Sequence, residues 1–204
     1  ESVKKIADGA ALMTETSVKS SVVSAMSNLL GNSPLEKAMQ ANLDHLGPPP
    51  FDETDRAFAR KIQATFQPED IPTAHRRFGV PPGDAALGEI VVPADSPRAQ
   101  LRGSTDVGDV SWVAPTVQAY GATYAVGTPP HSWQLTAQGK APAAHKGMVQ
   151  AAKAMAATAI DVLKDPRLLA EAKADYAART KAFAYRSPLP ADTHIPTVVQ
   201  PQDI

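Results

Sequence analysis

The stretch AAHKGMVQAAKAMAATAIDVLK, residues 143–164, carries the longest regular pattern in the chain. Met148, Ala152, Met155 and Ala159 recur within it at intervals of three and four residues. Apolar residues at this spacing lie on one side of a helix, so the stretch predicts a single long helix.

A second helix is predicted directly after the first one. Asp165 and Pro166 end the long helix and begin the next, because aspartate accepts hydrogen bonds from free N–H groups and proline suits a first turn. This second helix runs to about residue 183. Asp175 and Arg179 are placed within it for an ion pair four residues apart.

Two further helices are predicted upstream. Ser33 and Pro34 form a helix start, strengthened by Glu36 as in a capping box, and Gly47 ends that helix. After three prolines, Asp52 begins another helix that ends before Pro68. Residues 67–103 are predicted to be mostly irregular.

Three segments have a β-type composition. They are residues 17–26, 88–92 and parts of 110–126. Strands interleaved with helices predict an α/β fold. Most of the strands that a complete sheet needs are not in this chain, so the sheet is predicted to be partial.

The amino-acid composition argues against several classes of protein function. The 204 residues include 20 basic and 21 acidic side chains, and this balance argues against a dedicated nucleic-acid-binding protein. Cysteine is absent, which excludes thiolate metal sites and a cysteine nucleophile. No apolar run approaches the length of about 18 residues that a membrane span needs, and no secretory leader is evident. These features predict a cytoplasmic protein without a membrane partner.

His131 is the strongest single candidate for chemistry. It follows two prolines at the end of a β-type segment, which is where α/β enzymes place ligands. The other four histidines form no close pair with metal-ligand spacing. On the local pattern alone, a turn histidine in a proline-rich loop is the commoner explanation, and both interpretations stay open.

A second candidate is the loop GSTDVGDVSW, residues 103–112. Asp106 and Asp109 lie three apart among glycines and hydroxyl side chains. Such a loop can orient a histidine, coordinate a cation or bind a substrate amine. Local Asx-turns explain the same residues, and the sequence does not decide between the two.

Several motifs together resemble a known family. GSTDVGDVSWVAPTVQ (103–118), PHSWQ (130–134) and AHKGM (144–148) stand in the order found in the p-aminobenzoyl-glutamate hydrolase B-subunit group, and GAALMT (9–14) resembles the end of that family's lid domain. The group is part of the aminoacylase and carboxypeptidase family of di-metal amidohydrolases. The resemblance covers nearly the whole chain.

The resemblance implies an architecture. Residues 1–32 correspond to the end of an α+β lid and dimerisation domain, and residues 33–204 to the C-terminal part of a zinc-peptidase-like α/β catalytic domain. It also implies a homo-oligomer and a substrate that is an N-acyl or N-aroyl amino acid.

The same resemblance implies roles for individual residues. His131 maps onto the last ligand of a site for two divalent ions, zinc or manganese. Asp106, Asp109, Ser104 and Ser132 map onto residues lining the active site. The attacking hydroxide and an upstream glutamate base complete the family's chemistry.

The chain departs from the family in its remaining ligands. His-x-Asp and Glu-Glu motifs, which supply the other ligands and the general base, do not occur. The sequence therefore predicts the C-terminal part of a metal-dependent amidohydrolase that lacks a catalytic residue of its own, does not fully bind the two ions and is inactive alone. The alternative is a non-catalytic association module that dimerises through surfaces normally covered by the missing half.

Overall fold

The computed structural model describes residues 2–97, 103, 105–191 and 193. Within these residues the chain folds as helices joined by turns and extended segments. The helices are α1 (Ser2–Met13), α2 (Ser33–Leu46), α3 (Glu53–Gln63), α4 (Asp70–Phe78), α5 (Val107–Ser111), α6 (Trp133–Gln138), α7 (Pro142–Lys164) and α8 (Pro166–Thr180).

The α/β prediction is wrong for the described residues, which contain no strand. Residues 17–26 and 88–92 carry no regular structure, and the start of the 110–126 segment lies in α5. The Val126 N–H donates to the Ala86 carbonyl at 2.9 Å, but no ladder of bonds continues from it. An extended segment becomes a strand only beside another strand, and the described chain supplies none.

Helices α2, α7 and α8 pack against one another. Gln150 of α7 donates its amide to the carbonyl oxygens of Leu46 and Gly47 at 3.0 and 2.7 Å, which satisfies the free end of α2. At the other end of α2, the Asn32 amide donates to the Ala172 carbonyl of α8 at 2.8 Å. Polar contacts therefore fix both ends of this bundle.

Capping chemistry explains where these helices begin. Asn32 caps α2, and the Glu36 carboxylate accepts the Asn32 N–H at 3.2 Å, so the cap lies one residue before the predicted Ser33. Asp52 caps α3 in a reciprocal capping box with Asp55, as predicted at that position. Asp165 accepts from the Arg167 N–H at 2.9 Å and begins α8.

A second packing centre lies around α3. It is a cluster of small and apolar side chains: Phe51, Ala59, Ile62, Ala86, Leu87, Ala125 and Ala143. Lys146 of α7 forms an ion pair with Asp52 at 2.7 Å and another with the buried Asp55, which links α7 to the start of α3. This centre holds the segment that leads to His131.

Helix α1 differs from the others because none of its residues is buried. The exposed fractions of Val3, Ile6 and Leu12 are 78%, 70% and 82%. The predicted domain boundary at residue 32 stays a prediction. No helix in the described part of the chain is both long and apolar enough to cross a membrane.

Candidate functional site

His131 lies in the turn between the 113–130 segment and α6, and its side chain is exposed. Its backbone φ is +56°, a left-handed conformation that non-glycine residues adopt rarely. The imidazole makes no hydrogen bond or ion pair with any described residue. A free ring on a strained backbone is typical of functional positions.

Ser132 follows directly and holds the turn. Its hydroxyl donates to the Pro129 carbonyl at 2.7 Å and accepts from the Leu135 N–H at 3.2 Å, which caps α6. Both functions of this hydroxyl are therefore used locally. Ser132 orders the turn that presents His131.

The acidic loop lies against a different part of the chain. The Asp109 carboxylate accepts from the Ser27 N–H at 3.0 Å, and the Ser111 hydroxyl accepts from the Leu30 N–H at 2.8 Å. Gly108 allows this approach, because a Cβ there would overlap the Ser27 carbonyl oxygen. These contacts tie α5 to the segment that precedes α2.

The electrostatics around Asp109 agree with this anchoring role. Hydrogen bonds from the Ser27 hydroxyl and backbone N–H lower the pKa of the Asp109 carboxyl below its ordinary value of 3.8. Burial, and then the Asp109 charge, raise the pKa of the Tyr185 hydroxyl above its ordinary value of 10.0. Asp109 is therefore an ionised hydrogen-bond acceptor for its neighbours.

The remaining predicted site residues have fewer contacts. Asp106 is exposed at the start of α5 and its side chain makes no capping bond. Ser104 lies outside the described residues. No hydrogen bond or ion pair joins the acidic loop to His131 among the described residues, and the predicted site roles stay predictions.

The described residues do not fit a two-ion centre by themselves. No group of three or more histidine, aspartate or glutamate side chains among them is arranged to hold a metal ion. His131 is one suitable donor, because a neutral imidazole is a common ligand for zinc. The other donors of such a centre would have to come from outside the described residues.

Two residues that the sequence did not indicate organise the candidate site. Ser111 is 1% exposed and bridges α5 to the segment before α2. Gln138, 3% exposed, hydrogen-bonds to the segment that leads to His131. Ser111 lies within the predicted 103–112 loop, but only its contact with the segment before α2 reveals its role, and no local motif marks Gln138.

The chain is similar to the p-aminobenzoyl-glutamate hydrolase B-subunit of Escherichia coli (strain K12). The two are 40% identical over 199 residues, which cover 92% of this chain and 41% of the relative. This similarity confirms the resemblance that the motifs predicted. The chain spans less than half the length of this relative.

No protein-family model and no solved structure matches the chain.

Proposed function

We propose that this chain forms the C-terminal part of a hydrolase that cleaves the amide bond of N-acyl or N-aroyl amino acids. The observation that carries the proposal is the 40% identity, over 92% of the chain, to one subunit of a p-aminobenzoyl-glutamate hydrolase. The activity in that relative's name supports p-aminobenzoyl-glutamate as the first substrate to test. The name also supports a partner chain, since it describes one subunit of an enzyme.

His131 is the residue that we assign to the active centre. Its ring is exposed and free of hydrogen bonds to the described residues, so it is available to a group brought by another part of the enzyme. Because the described residues provide no three-ligand group, the isolated chain is expected to be inactive. The proposal includes two divalent ions, zinc or manganese, whose further ligands come from outside the described residues.

A segment exchange tests the proposal. The matching part of the E. coli relative is replaced by this chain, and release of p-aminobenzoate from p-aminobenzoyl-glutamate is measured in cells that carry the rest of that enzyme. We expect hydrolysis by the chimera, and its loss with His131→Ala. His145→Ala is the matched control, because His145 is also exposed but lies in α7.

Two results would contradict this proposal. Full hydrolysis by the His131→Ala chimera would show that His131 is not part of the active centre. Appreciable turnover by the isolated 204-residue chain with added zinc or manganese would contradict the expected inactivity.

A second function, that of a non-catalytic association module, has its own support. The outward side of α7 exposes large apolar side chains, among them Met155 at 65% and Leu163 at 84%, and no residue of α1 is buried. Large exposed apolar patches mark interaction sites. Sedimentation velocity of the isolated chain is expected to show a concentration-dependent dimer, whereas a compact monomer at all concentrations would contradict this function.

A further inference from the structure

Gln138 is a buried polar residue at the end of α6, and every polar atom of its side chain is used. Its carbonyl oxygen accepts from the Ala125 N–H at 2.7 Å. Its amide donates to the Thr128 hydroxyl and to the Gln134 carbonyl, both at 3.0 Å. One side chain thus joins the start of the turn at residue 125 to the helix that follows His131.

Thr128 extends the same connection. Its hydroxyl donates to the Ala125 carbonyl at 2.7 Å while it accepts from Gln138. Ala125 has no exposed surface, so its N–H has no water to replace the Gln138 bond. The turn from 125 to 128 therefore depends on Gln138 for its conformation.

His131 lies between this connection and the Ser132 cap of α6. Its backbone adopts φ +56°, and a strained backbone of this kind persists only where surrounding contacts impose it. Upstream, those contacts are the Gln138 and Thr128 bonds, and downstream they are the two bonds of the Ser132 hydroxyl. His131 itself contributes no side-chain bond to the described residues.

We propose that Gln138 is a positioning residue that holds the backbone of His131 in its left-handed conformation and so keeps the imidazole free and outward. Its relevance to catalysis rests on the proposed function, because it acts through His131. The claim that Gln138 holds the backbone of His131 does not rest on the proposed function, since it concerns only the conformation of one turn.

Nuclear magnetic resonance of the isolated chain tests the geometric part. A positive φ brings the amide proton and the Hα of one residue close together and gives a strong intraresidue cross-peak for His131. In Gln138→Met we expect this cross-peak to weaken and exchange of the Ala125 amide proton to accelerate by about tenfold, because the buried N–H loses its acceptor. Thermal unfolding checks that the variant remains folded.

A second variant and a control keep the test decisive. Thr128→Val removes the bond from Gln138 to Thr128 and the bond from Thr128 to the Ala125 carbonyl, while the Ala125 N–H keeps Gln138 as its acceptor, and it decides the outcome if Gln138→Met fails to fold. Gln134→Met is the matched control, because the Gln134 side chain lies on the same helix and, among the residues that the structure describes, hydrogen-bonds only to Thr65, at 3.4 Å. The control is expected to keep the His131 cross-peak of the wild type.

The proposal is overturned if a folded Gln138→Met or Thr128→Val chain shows the wild-type His131 cross-peak. A merely stabilising role would lower the unfolding temperature and leave that signal unchanged. In the segment-exchange chimera, Gln138→Met is expected to lower kcat by about 10- to 100-fold with little change in KM. An inactive chimera would count against the proposed function and leave the resonance result to decide the role of Gln138.

Discussion

The two sides of α7 differ in a way that reverses the usual pattern of a surface helix. The inward side is made of small and polar residues: Ala143, Gly147, Gln150, Ala154 and Thr158. The outward side carries the large apolar residues: Met148, Val149, Met155, Ile160 and Leu163. The inward side therefore packs by close approach and hydrogen bonds, and the outward side keeps apolar area that could stabilise an interface.

The largest expected effect is at Gly147, where the inward side makes its closest approach. A Cβ at this position would overlap the Ala122 carbonyl oxygen and press on the Thr123 side chain, so Gly147→Ala would push α7 away from that segment. We expect a loss of about 2–3 kcal/mol in the free energy of unfolding, which exceeds the gain of about 1 kcal/mol in helix propensity. Chemical denaturation measures it.

Gly139→Ala is the control for this change. Gly139 has a φ of −60° and its nearest contact to an added Cβ is 3.4 Å away, so alanine fits there with little change in stability. Equal unfolding free energies for the two variants would mean that α7 does not need close approach at its inward side.

The second effect is at Gln150. Replacing it by methionine keeps its volume but leaves the Leu46 and Gly47 carbonyls without their donor. Because these carbonyls end α2, we expect the free energy of unfolding to fall by about 1–2 kcal/mol. Val149→Met, at the exposed position directly before Gln150, is expected to change the free energy of unfolding by less than about 0.5 kcal/mol. A larger loss at 149 would contradict the contrast between the two sides.

The third effect concerns Lys146 at the edge between the two sides. Its bond to Asp52 lowers the pKa of that carboxyl below the ordinary 3.8, and the bonds to Asp52 and Asp55 raise the pKa of Lys146 above 10.5. A lowered carboxyl pKa contributes stability above pH 3.8 that is lost as the pH falls further. A raised lysine pKa contributes stability below pH 10.5 that is lost as the pH rises further.

Lys146→Gln is therefore expected to lower the unfolding temperature at neutral pH and to approach the wild type below about pH 3.8 and above about pH 10.5. Thermal unfolding across pH measures the difference between the two proteins. Lys153→Gln, an exposed lysine of the same helix, serves as the control. A difference that stays constant across pH would contradict the assigned ion pairs.

Much of the helical structure follows from local sequence. Capping residues and prolines locate α2, α3, α7 and α8 to within a few residues, and the predicted pair of Asp175 and Arg179 forms at 2.8 Å. These features are predictable because the two residues of each cap or ion pair lie within one or two helical turns of each other. Even there, the cap of α2 is Asn32 and the prediction placed it at Ser33, since both residues can accept the same N–H.

The errors arise where structure depends on distant partners. Residues 17–26 have a strand-like composition, but a strand needs a neighbour that the described chain lacks. The stripe of Met148 and Met155 predicted α7 correctly, yet periodicity does not say which side faces inward, and here the stripe is exposed. The left-handed backbone of His131 depends on Gln138, whose contacts no local motif encodes.

The smallest expected effect on stability is on the outward side and tests the contrast most directly. Glutamine is placed at two successive positions, Ala154 on the inward side and Met155 on the outward side. Ala154 is 2% exposed, so Ala154→Gln forces a larger polar group into a filled space and is expected to cost about 1–3 kcal/mol. Met155→Gln changes a side chain that is 65% exposed, so the free energy of unfolding stays within about 0.5 kcal/mol of the wild type.

The same Met155→Gln variant is expected to weaken self-association in sedimentation velocity, because it removes apolar area from the outward side without disturbing the fold. A variant that loses stability as a monomer would mean that Met155 is packed against the chain itself. Unchanged stability with unchanged association would mean that the outward side of α7 is not the interface. One outcome agrees with the contrast between the two sides of α7: the variant keeps its free energy of unfolding and associates more weakly. In that case the small residues of α7 pack within the domain and its large residues contact a second chain.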